Sequence, residues 1–376
     1  MATEKPNPGD PGPIVVYGAT GYTGKLICAE LASRGARIVA AGRDSAKLEA
    51  AVADLDEGGS VEVAAVPLSD PSALRELLER GSVVIGCAGP FTLHGRPLIE
   101  AAAETGTNYL DTTGEQPFIR DAFERQGVRA TSSGAALASG MGFDYVPGDM
   151  LAALTADGLG PIDEMTLAYS LRGFGATRGT ALSALEMVQG GDVEWRDGEL
   201  RGTPRHVGAG SFEFPSPIGS RRVGRYPAGE QVTVPRHVDV RSLRTVIDLR
   251  SLIGVPLGPL GAVAMTGGGL AMSTPLRGAA AKLIAKLPEG PSERSRKMAR
   301  FTIVCEARAG MRTRRGVLRG SDVYGLTAAI LAEAATRMAR PDYDRSGALA
   351  PSQAFDPESF LAALEPFGIR VEIEPL

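Results

Sequence analysis

Ile14-Val15-Val16-Tyr17-Gly18-Ala19-Thr20-Gly21-Tyr22-Thr23-Gly24-Lys25-Leu26 decides the fold. An apolar strand runs into glycines three apart and then directly into an amphipathic helix containing Leu26, Ile27, Ala29, Glu30 and Leu31. A dinucleotide needs that order. Glycine allows the sharp turn, a missing side chain lets backbone approach a pyrophosphate, and a helix N-terminus offers free N–H groups and a positive dipole. Gly18, Gly21 and Gly24 are expected to line the phosphates, with Thr20, Tyr22 and Thr23 in the same turn. The strand before and the helix after make the glycine triplet specific, where a bare triplet would be weak.

The second strand ends in Ala40-Ala41-Gly42-Arg43-Asp44-Ser45, and its tip should reach the adenosine ribose. An acid at that tip accepts bonds from both ribose hydroxyls of NAD, whereas a 2′-phosphate is repelled by an acid and held by an arginine. Arg43 occupies the tip, and Asp44, just before Ser45 and Lys47, suits a helix cap. The expected cofactor is NADP(H) in preference to NAD(H), with Ser45 and Lys47 as helpers to Arg43.

Outward from this unit, short apolar runs alternate with amphipathic stretches, the βαβ signature of a parallel sheet. Strands are expected near Ile14–Tyr17, Arg37–Ala41, Val61–Val66, Val83–Cys87, Asn108–Asp111 and Arg129–Ser132. Asp70 before Pro71 opens one of the intervening helices. A Gly/Pro-rich junction, Gly140 to Gly148, leads into longer alternating segments that suggest a mixed or antiparallel sheet. Strands are expected there at Glu164–Leu171, Gln231–Val238, Arg244–Leu249, Arg300–Arg308 and Thr313–Leu318, with helices at Thr180–Gln189 and Asp322–Arg340. A last helix opens at Asp356-Pro357 and a strand closes the chain at Ile369–Ile373. The expected class is α/β: a Rossmann doubly wound parallel sheet with a second α+β domain, C-terminal elements packing back on the first. The expected boundaries are a flexible tail at 1–13, the dinucleotide domain at 14–150, a substrate or dimerisation domain at 151–320 and returning elements at 321–376.

With 376 residues the chain exceeds what one core normally organises. Apolar residues at 43% and charged residues at 22% exclude a disordered or fibrous chain, and a net charge of −4 excludes a dedicated nucleic-acid binder. Cys28, Cys87 and Cys305 are scattered among small or apolar neighbours, and His94, His206 and His237 form no ligand spacing. Neither a disulfide framework nor a metal site is expected. The polar, proline-rich N-terminus lacks the apolar segment of a secretory signal, so a cytoplasmic location is expected.

Further strand ends carry chemistry. Gly86-Cys87-Ala88-Gly89-Pro90-Phe91 lies where an open α/β sheet binds its ligand, and Cys87, Ala88, Gly89 and Pro90 would let ribose and nicotinamide lie close to backbone. Cys87 reads as a small packed residue, with no base beside it in sequence. Tyr109-Leu110-Asp111-Thr112-Thr113-Gly114-Glu115 and Ser139-Gly140-Met141-Gly142-Phe143-Asp144-Tyr145 bring hydroxyls and carboxylates to the same kind of edge. Tyr109 and Tyr145 are candidate proton donors, and Asp111, Glu115, Met141 and Phe143 candidate substrate contacts; taken singly, each also reads as a cap or turn residue.

At these same residues the chain resembles the saccharopine dehydrogenase-like oxidoreductases, in particular the branch with trans-acting enoyl reductases of actinobacterial lipid synthesis. Gly18-Ala19-Thr20-Gly21-Tyr22-Thr23-Gly24, Ala41-Gly42-Arg43, Cys87-Ala88-Gly89-Pro90-Phe91, Tyr109 through Glu115 and Gly140-Met141-Gly142-Phe143-Asp144 carry the likeness in order. It continues weakly at Asp322-Val323-Tyr324-Gly325 and is loose from Pro161 to Arg300. The resemblance implies a Rossmann domain, an inserted α+β domain and NAD(P)-dependent reduction, and it leaves the substrate open. Short-chain reductases share the G-A-T-G-x-x-G turn, but no tyrosine here has a lysine four residues later, which demotes carbonyl reduction of that kind.

The preferred reaction is NADPH-dependent reduction of the activated C=C of an acyl thioester, the proton coming from Tyr109, Tyr145 or water, with the substrate free or on a carrier protein. The alternatives are C=N reduction or amino-acid dehydrogenation with arginines clamping carboxylates, and an NADP-binding sensor or scaffold without turnover. Nine arginines against four acids between Arg201 and Arg250 read as a solvated face or as a patch for an acidic partner. The uncharged stretch 251–276 reads as a core or dimer segment, a lid, or a peripheral membrane or lipid contact. A homodimer or monomer is expected.

Overall fold

A computed structural model describes residues 12–55, 61–187, 192–203, 210–252, 284 and 286–375. The stretch 251–276 falls almost wholly outside the described residues, as does His206. The strands, in chain order, are β1 (Ile14–Tyr17), β2 (Ile38–Gly42), β3 (Val61–Ala65), β4 (Val83–Gly86), β5 (Asn108–Asp111), β6 (Ala136–Ala138), β7 (Ile162–Arg172), β8 (Val193–Arg196), β9 (Glu199–Gly202), β10 (Gly210–Phe214), β11 (Gly219–Arg225), β12 (Val240–Asp248), β13 (Arg300–Ala309), β14 (Arg312–Ser321), β15 (Gly347–Ala348) and β16 (Arg370–Ile373). Two compact units form. The first comprises Met1–Thr113, Phe118–Gly142 and Thr327–Leu349; the second comprises Gly114–Pro117, Phe143–Leu326 and Ala350–Leu376.

The first unit is a parallel sheet in the order β15-β6-β5-β4-β1-β2-β3. Ile14-Val15-Val16-Tyr17 and Val83-Val84-Ile85-Gly86 are buried along their whole length, as strands covered on both faces must be, and therefore read as continuous apolar runs. Leu74, Leu77 and Leu78 of the helix Pro71–Glu79 and Leu98, Ile99 and Ala102 of the helix Arg96–Thr105 join Val15, Val39 and Val84 in one core. The expected strand Arg129–Ser132 is instead helical, within Gly127–Ser133, and the sixth strand is the alanine-flanked Ala136–Ala138.

The second unit holds a sheet in the order β10-β11-β12-β7-β13-β14-β16, with β12 and β7 parallel and the other neighbours antiparallel, as well as the hairpin β8-β9. Phe212 and Phe214 fold over Ala168, Val246, Val304 and Val317 as a second apolar core, and the Arg315 guanidinium lies 5.9 Å from the Phe212 ring centre. The helix Val146–Ala156 packs on β13 and β14, where Gly316 admits Leu151 and Thr155 at close range. Gln231–Val238, expected as a strand, is a helical turn, Glu230–Thr233, running into the 3-10 turn Val234–Arg236. The C-terminal part divides: β15 pairs with β6 in the first sheet, whereas β16 pairs with β14 in the second.

Candidate functional site

In the first unit, β1 delivers the chain to Gly18, whose φ of +91° few side chains adopt. A Cβ at Gly18 would stand 3.0 Å from the backbone of Cys87 and Ala88, so its absence lets the ends of β1 and β4 lie together. Gly24 approaches still closer. A methyl there would overlap the Gly18 carbonyl oxygen and lie 2.9 Å from Ala19 Cα. Gly21 is different: it is exposed, and a Cβ would meet only Gly18 O, at 3.4 Å. The helix Tyr22–Ser33 starts behind Gly21 with no side-chain cap and no acid in its first turn. Two glycines thus close the turn and the third keeps its outer side open before a helix N-terminus, which fits a diphosphate. Thr20, Tyr22 and Thr23 are half-buried around it.

At the end of β2, Arg43 is exposed and makes no ion pair among the described residues. Asp44 caps the helix Ser45–Val52, accepting from Lys47 N at 3.2 Å, and its carboxylate pairs with Lys47 Nζ at 3.0 Å. These bonds with Lys47 hold the Asp44 carboxyl below its ordinary value. The acid that would oppose a 2′-phosphate is thus engaged by its own helix. Ser45 donates to Glu49 at 2.9 Å, so of the three residues expected at the phosphate, Arg43 alone has no side-chain hydrogen bond or ion pair among the described residues, although its charge bears on Asp44 and Tyr17.

At the end of β4, Cys87 N donates to Tyr17 O at 2.8 Å, and the Gly89–Pro90 peptide is cis. Part of Cys87 reaches the surface, but burial of its thiol, reinforced by nearby Cys28 and Asp111, pushes the pKa well above the ordinary value. It is a packed thiol rather than a nucleophile. Ala88 and Pro90 are half-buried and Gly89 exposed.

Tyr109, Asp111 and Met141, expected as a proton donor and substrate contacts, are buried. The Tyr109 ring is wholly buried, and burial followed by the Asp111 charge raises its phenol well above the ordinary value. Asp111 ties the end of β5 to the segment after β6: Oδ1 accepts from Thr113 N at 2.9 Å and Gly140 N at 2.8 Å, and Oδ2 from Ser139 Oγ at 2.5 Å. Burial pushes its carboxyl up to about 6 against the pull of those donors. Met141 is fully buried. None of the three presents an exposed group.

In the second unit, Phe143 packs edge-on against Phe301 at 4.5 Å, and Glu115 is buried, accepting from Ser183 Oγ at 2.9 Å. Tyr145 is buried and donates to Gly114 O at 2.5 Å, and burial drives its phenol well above the ordinary value. Tyr145, expected as a proton donor, and Phe143 and Glu115, expected as substrate contacts, are thus packed or hydrogen-bonded within the second unit.

Other polar groups gather in this unit that sequence reading missed. Glu230 is wholly buried and accepts from Tyr169 Oη; burial raises its carboxyl well above the ordinary value. Tyr226 Oη lies 3.5 Å from Asp144 Oδ1. Asp144 is exposed at its rim, yet enough protein encloses the carboxyl to push it up to about 6. Below them Asp149, fully buried, accepts from Ser352 N at 2.9 Å and Ser352 Oγ at 2.6 Å and lies 3.0 Å from His237 Nε2. Burial raises the Asp149 carboxyl, but the His237 charge and these donors outweigh it, leaving the pKa lowered.

Residues 14–137 match the family model for the saccharopine dehydrogenase NADP-binding domain. The matched stretch contains the Gly18–Gly24 turn and Arg43. A putative trans-acting enoyl reductase of Mycobacterium tuberculosis is 37% identical over 184 residues, 46% of this chain and 44% of that protein. A trans-acting enoyl reductase of Mycobacterium leprae is 40% identical over 140 residues, 36% of this chain and 34% of that protein. The matches thus span less than half the length of these curated relatives. Saccharopine dehydrogenase (L-Glu forming) of Saccharomyces cerevisiae shares the fold over 97% of this chain and 100% of its own, with a TM-score of 0.59 at 13% identity. Among the described residues, no helix is long and apolar enough to cross a membrane.

Proposed function

We propose that the chain is an NADPH-dependent oxidoreductase that reduces the activated C=C of an acyl thioester. The observation that carries the reading is the turn Gly18–Gly24 with Arg43 at the neighbouring strand end: a cradle open on its Gly21 side and an exposed guanidinium. When bound, the nicotinamide supplies a hydride. The Gly21 side of the turn and the N-terminus of the helix Tyr22–Ser33 would hold the diphosphate, and Arg43 the 2′-phosphate. Cys87, Ala88, Gly89 and Pro90 would border the ribose and nicotinamide. Their small side chains offer contact without charge, and the raised Cys87 thiol stays protonated and inert there.

The thioester reading draws on the two mycobacterial relatives named as trans-acting enoyl reductases. An enoyl thioester gathers charge on its carbonyl oxygen as it is reduced, so a hydrogen-bond donor and good positioning supply most of what the protein must add. The proton would come from Tyr109, Tyr145 or water. Purified protein mixed with NADPH and crotonyl-N-acetylcysteamine should lose NADPH absorbance in step with formation of the saturated thioester. No consumption with any enoyl chain length, while an imine is reduced, would refute the reading.

A further inference from the structure

Asp144, Tyr169, Tyr226 and Glu230 come from distant stretches of the second unit, and the reading above gives them no work. Tyr169 Oη donates to Glu230 Oε1, whereas Glu230 Oε2 is buried with no hydrogen-bond partner. Gly148, in the first turn of the helix Val146–Ala156, makes room for the pair: a Cβ there would overlap Tyr169 Oη and Glu230 Oε1 and stand 3.2 Å from Tyr169 Cζ. A buried carboxyl with an unused oxygen is costly to keep, and apolar side chains of the same shape would avoid that cost.

In front of the pair, Tyr226 meets the Tyr169 ring edge-on with centroids 5.3 Å apart. Its backbone is fixed: Tyr226 O accepts from Thr245 Oγ1, which in turn accepts from Gln231 Nε2 at 3.0 Å, and Ala228 O accepts from Gln116 Nε2 at 2.7 Å. The Tyr226 hydroxyl is not fixed in the same way. At 3.5 Å from Asp144 Oδ1 it sits at the outer limit of a hydrogen bond, half-buried and able to turn toward another acceptor. Among the described residues no guanidinium or ammonium pairs with Asp144 or Glu230. Asp144 and Asp149 are the charges that bear on Glu230.

We propose that Asp144 and Tyr226, backed by the buried Tyr169–Glu230 pair, form a subsite that takes a neutral carbonyl oxygen of the substrate and rejects a carboxylate. A carbonyl oxygen accepts from the Tyr226 hydroxyl at no charge cost. A carboxylate would face the Asp144 carboxylate with no cation among the described residues to offset it. The inference rests on the oxidoreductase reading and narrows it to acyl thioester over amino-acid substrates.

Saturation-transfer NMR on the full chain, with and without NADP+, tests it using crotonyl-N-acetylcysteamine and 2-oxoglutarate as probes. The thioester should bind and the dicarboxylate should not. Tyr226→Phe should weaken the thioester about tenfold, the loss of one hydrogen bond, with NADPH affinity unchanged. Asp144→Asn should keep the thioester and admit the dicarboxylate. Equal or tighter binding of 2-oxoglutarate by the unaltered chain, no thioester binding, or thioester binding indifferent to both substitutions overturns the subsite. Failure of NADPH to bind, read by its fluorescence, overturns the cofactor reading instead, and the probes still decide the subsite on the nucleotide-free chain.

Discussion

One added methyl group at Gly24, compared with one at Gly21, separates the folding role of the glycine turn from its ligand role. At Gly24 the new Cβ would overlap the Gly18 carbonyl oxygen and sit 2.9 Å from Ala19 Cα, both backbone atoms that cannot swing aside. The helix Tyr22–Ser33 must back away by several tenths of an ångström, and overpacking of this kind costs about 1–3 kcal/mol. The same displacement draws the helix N–H groups off the diphosphate. Charged hydrogen bonds are worth about 1.5–3 kcal/mol, so NADPH affinity should fall roughly 10- to 150-fold. At Gly21 the φ of −77° suits any residue and the nearest contact is Gly18 O at 3.4 Å. Gly21→Ala should therefore change stability by less than about 0.5 kcal/mol. It nevertheless puts a methyl where the diphosphate would lie, so NADPH affinity should fall at least tenfold. Thermal unfolding by circular dichroism and NADPH fluorescence titration of both variants provide the test. Gly21→Ala protein that binds NADPH as well as the unaltered chain would refute the cradle. So would Gly24→Ala protein that is fully stable.

Asp111→Ala should cost about 3–5 kcal/mol, because it orphans Thr113 N, Gly140 N and Ser139 Oγ together, whereas Asp111→Asn should fold normally. The folded-state pKa of Asp111, about 6, lies above the unfolded value, so its contribution is fully present below about 3.9 and is lost as pH rises through 6. The stability gap between Asp111→Asn and the unaltered chain, followed by urea unfolding, should therefore shift in favour of the asparagine from pH 4 to pH 7; an unchanged gap contradicts the burial argument. His237→Leu should destabilise the protein by about 3–5 kcal/mol at pH 7 by leaving the Asp149 carboxylate buried beside Ser352 alone. The Asp149 pKa is lowered, so its contribution is present above the unfolded carboxylate value and lost on acidification; the same loss at pH 3 as at pH 7 would contradict that. Iodoacetamide should modify Cys87 at pH 7 far more slowly than a free thiol, and mass-spectrometric detection of rapid labelling there would overturn the buried, protonated thiol.

The nucleotide half of the molecule was legible because its signals are local. β1, the glycine turn and the following helix occupy consecutive residues, and the caps at Asp44, Asp70 and Asp356 accept from the N–H groups of their own helices as their positions imply. What failed locally was overruled from a distance. Arg129–Ser132 alternates like a strand, yet Ala130 is the buried face of a helix, and Ala136–Ala138 becomes a strand through its neighbour β5 rather than through any β-propensity of alanine. The stretch Gln231–Val238 has strand composition but follows Glu230, whose burial against Tyr169, 61 residues away, holds it in a helical turn. No spacing rule announces that pair, nor the approach of Tyr226 to Asp144 across 82 positions. Tyr109 and Asp111 were visible as polar residues at the end of a strand; that their side chains turn inward follows from sheet register, which residue type does not specify.

In the proposed function the turn beside β1 holds a pyridine dinucleotide and Arg43 selects the one carrying a 2′-phosphate. Fluorescence titration of the purified chain with NADPH and NADH tests it most directly. NADPH should bind at least tenfold tighter than NADH, and Arg43→Ala should remove most of that difference while leaving NADH affinity nearly unchanged. Equal affinities in the unaltered chain, or a preference that survives Arg43→Ala, would contradict it.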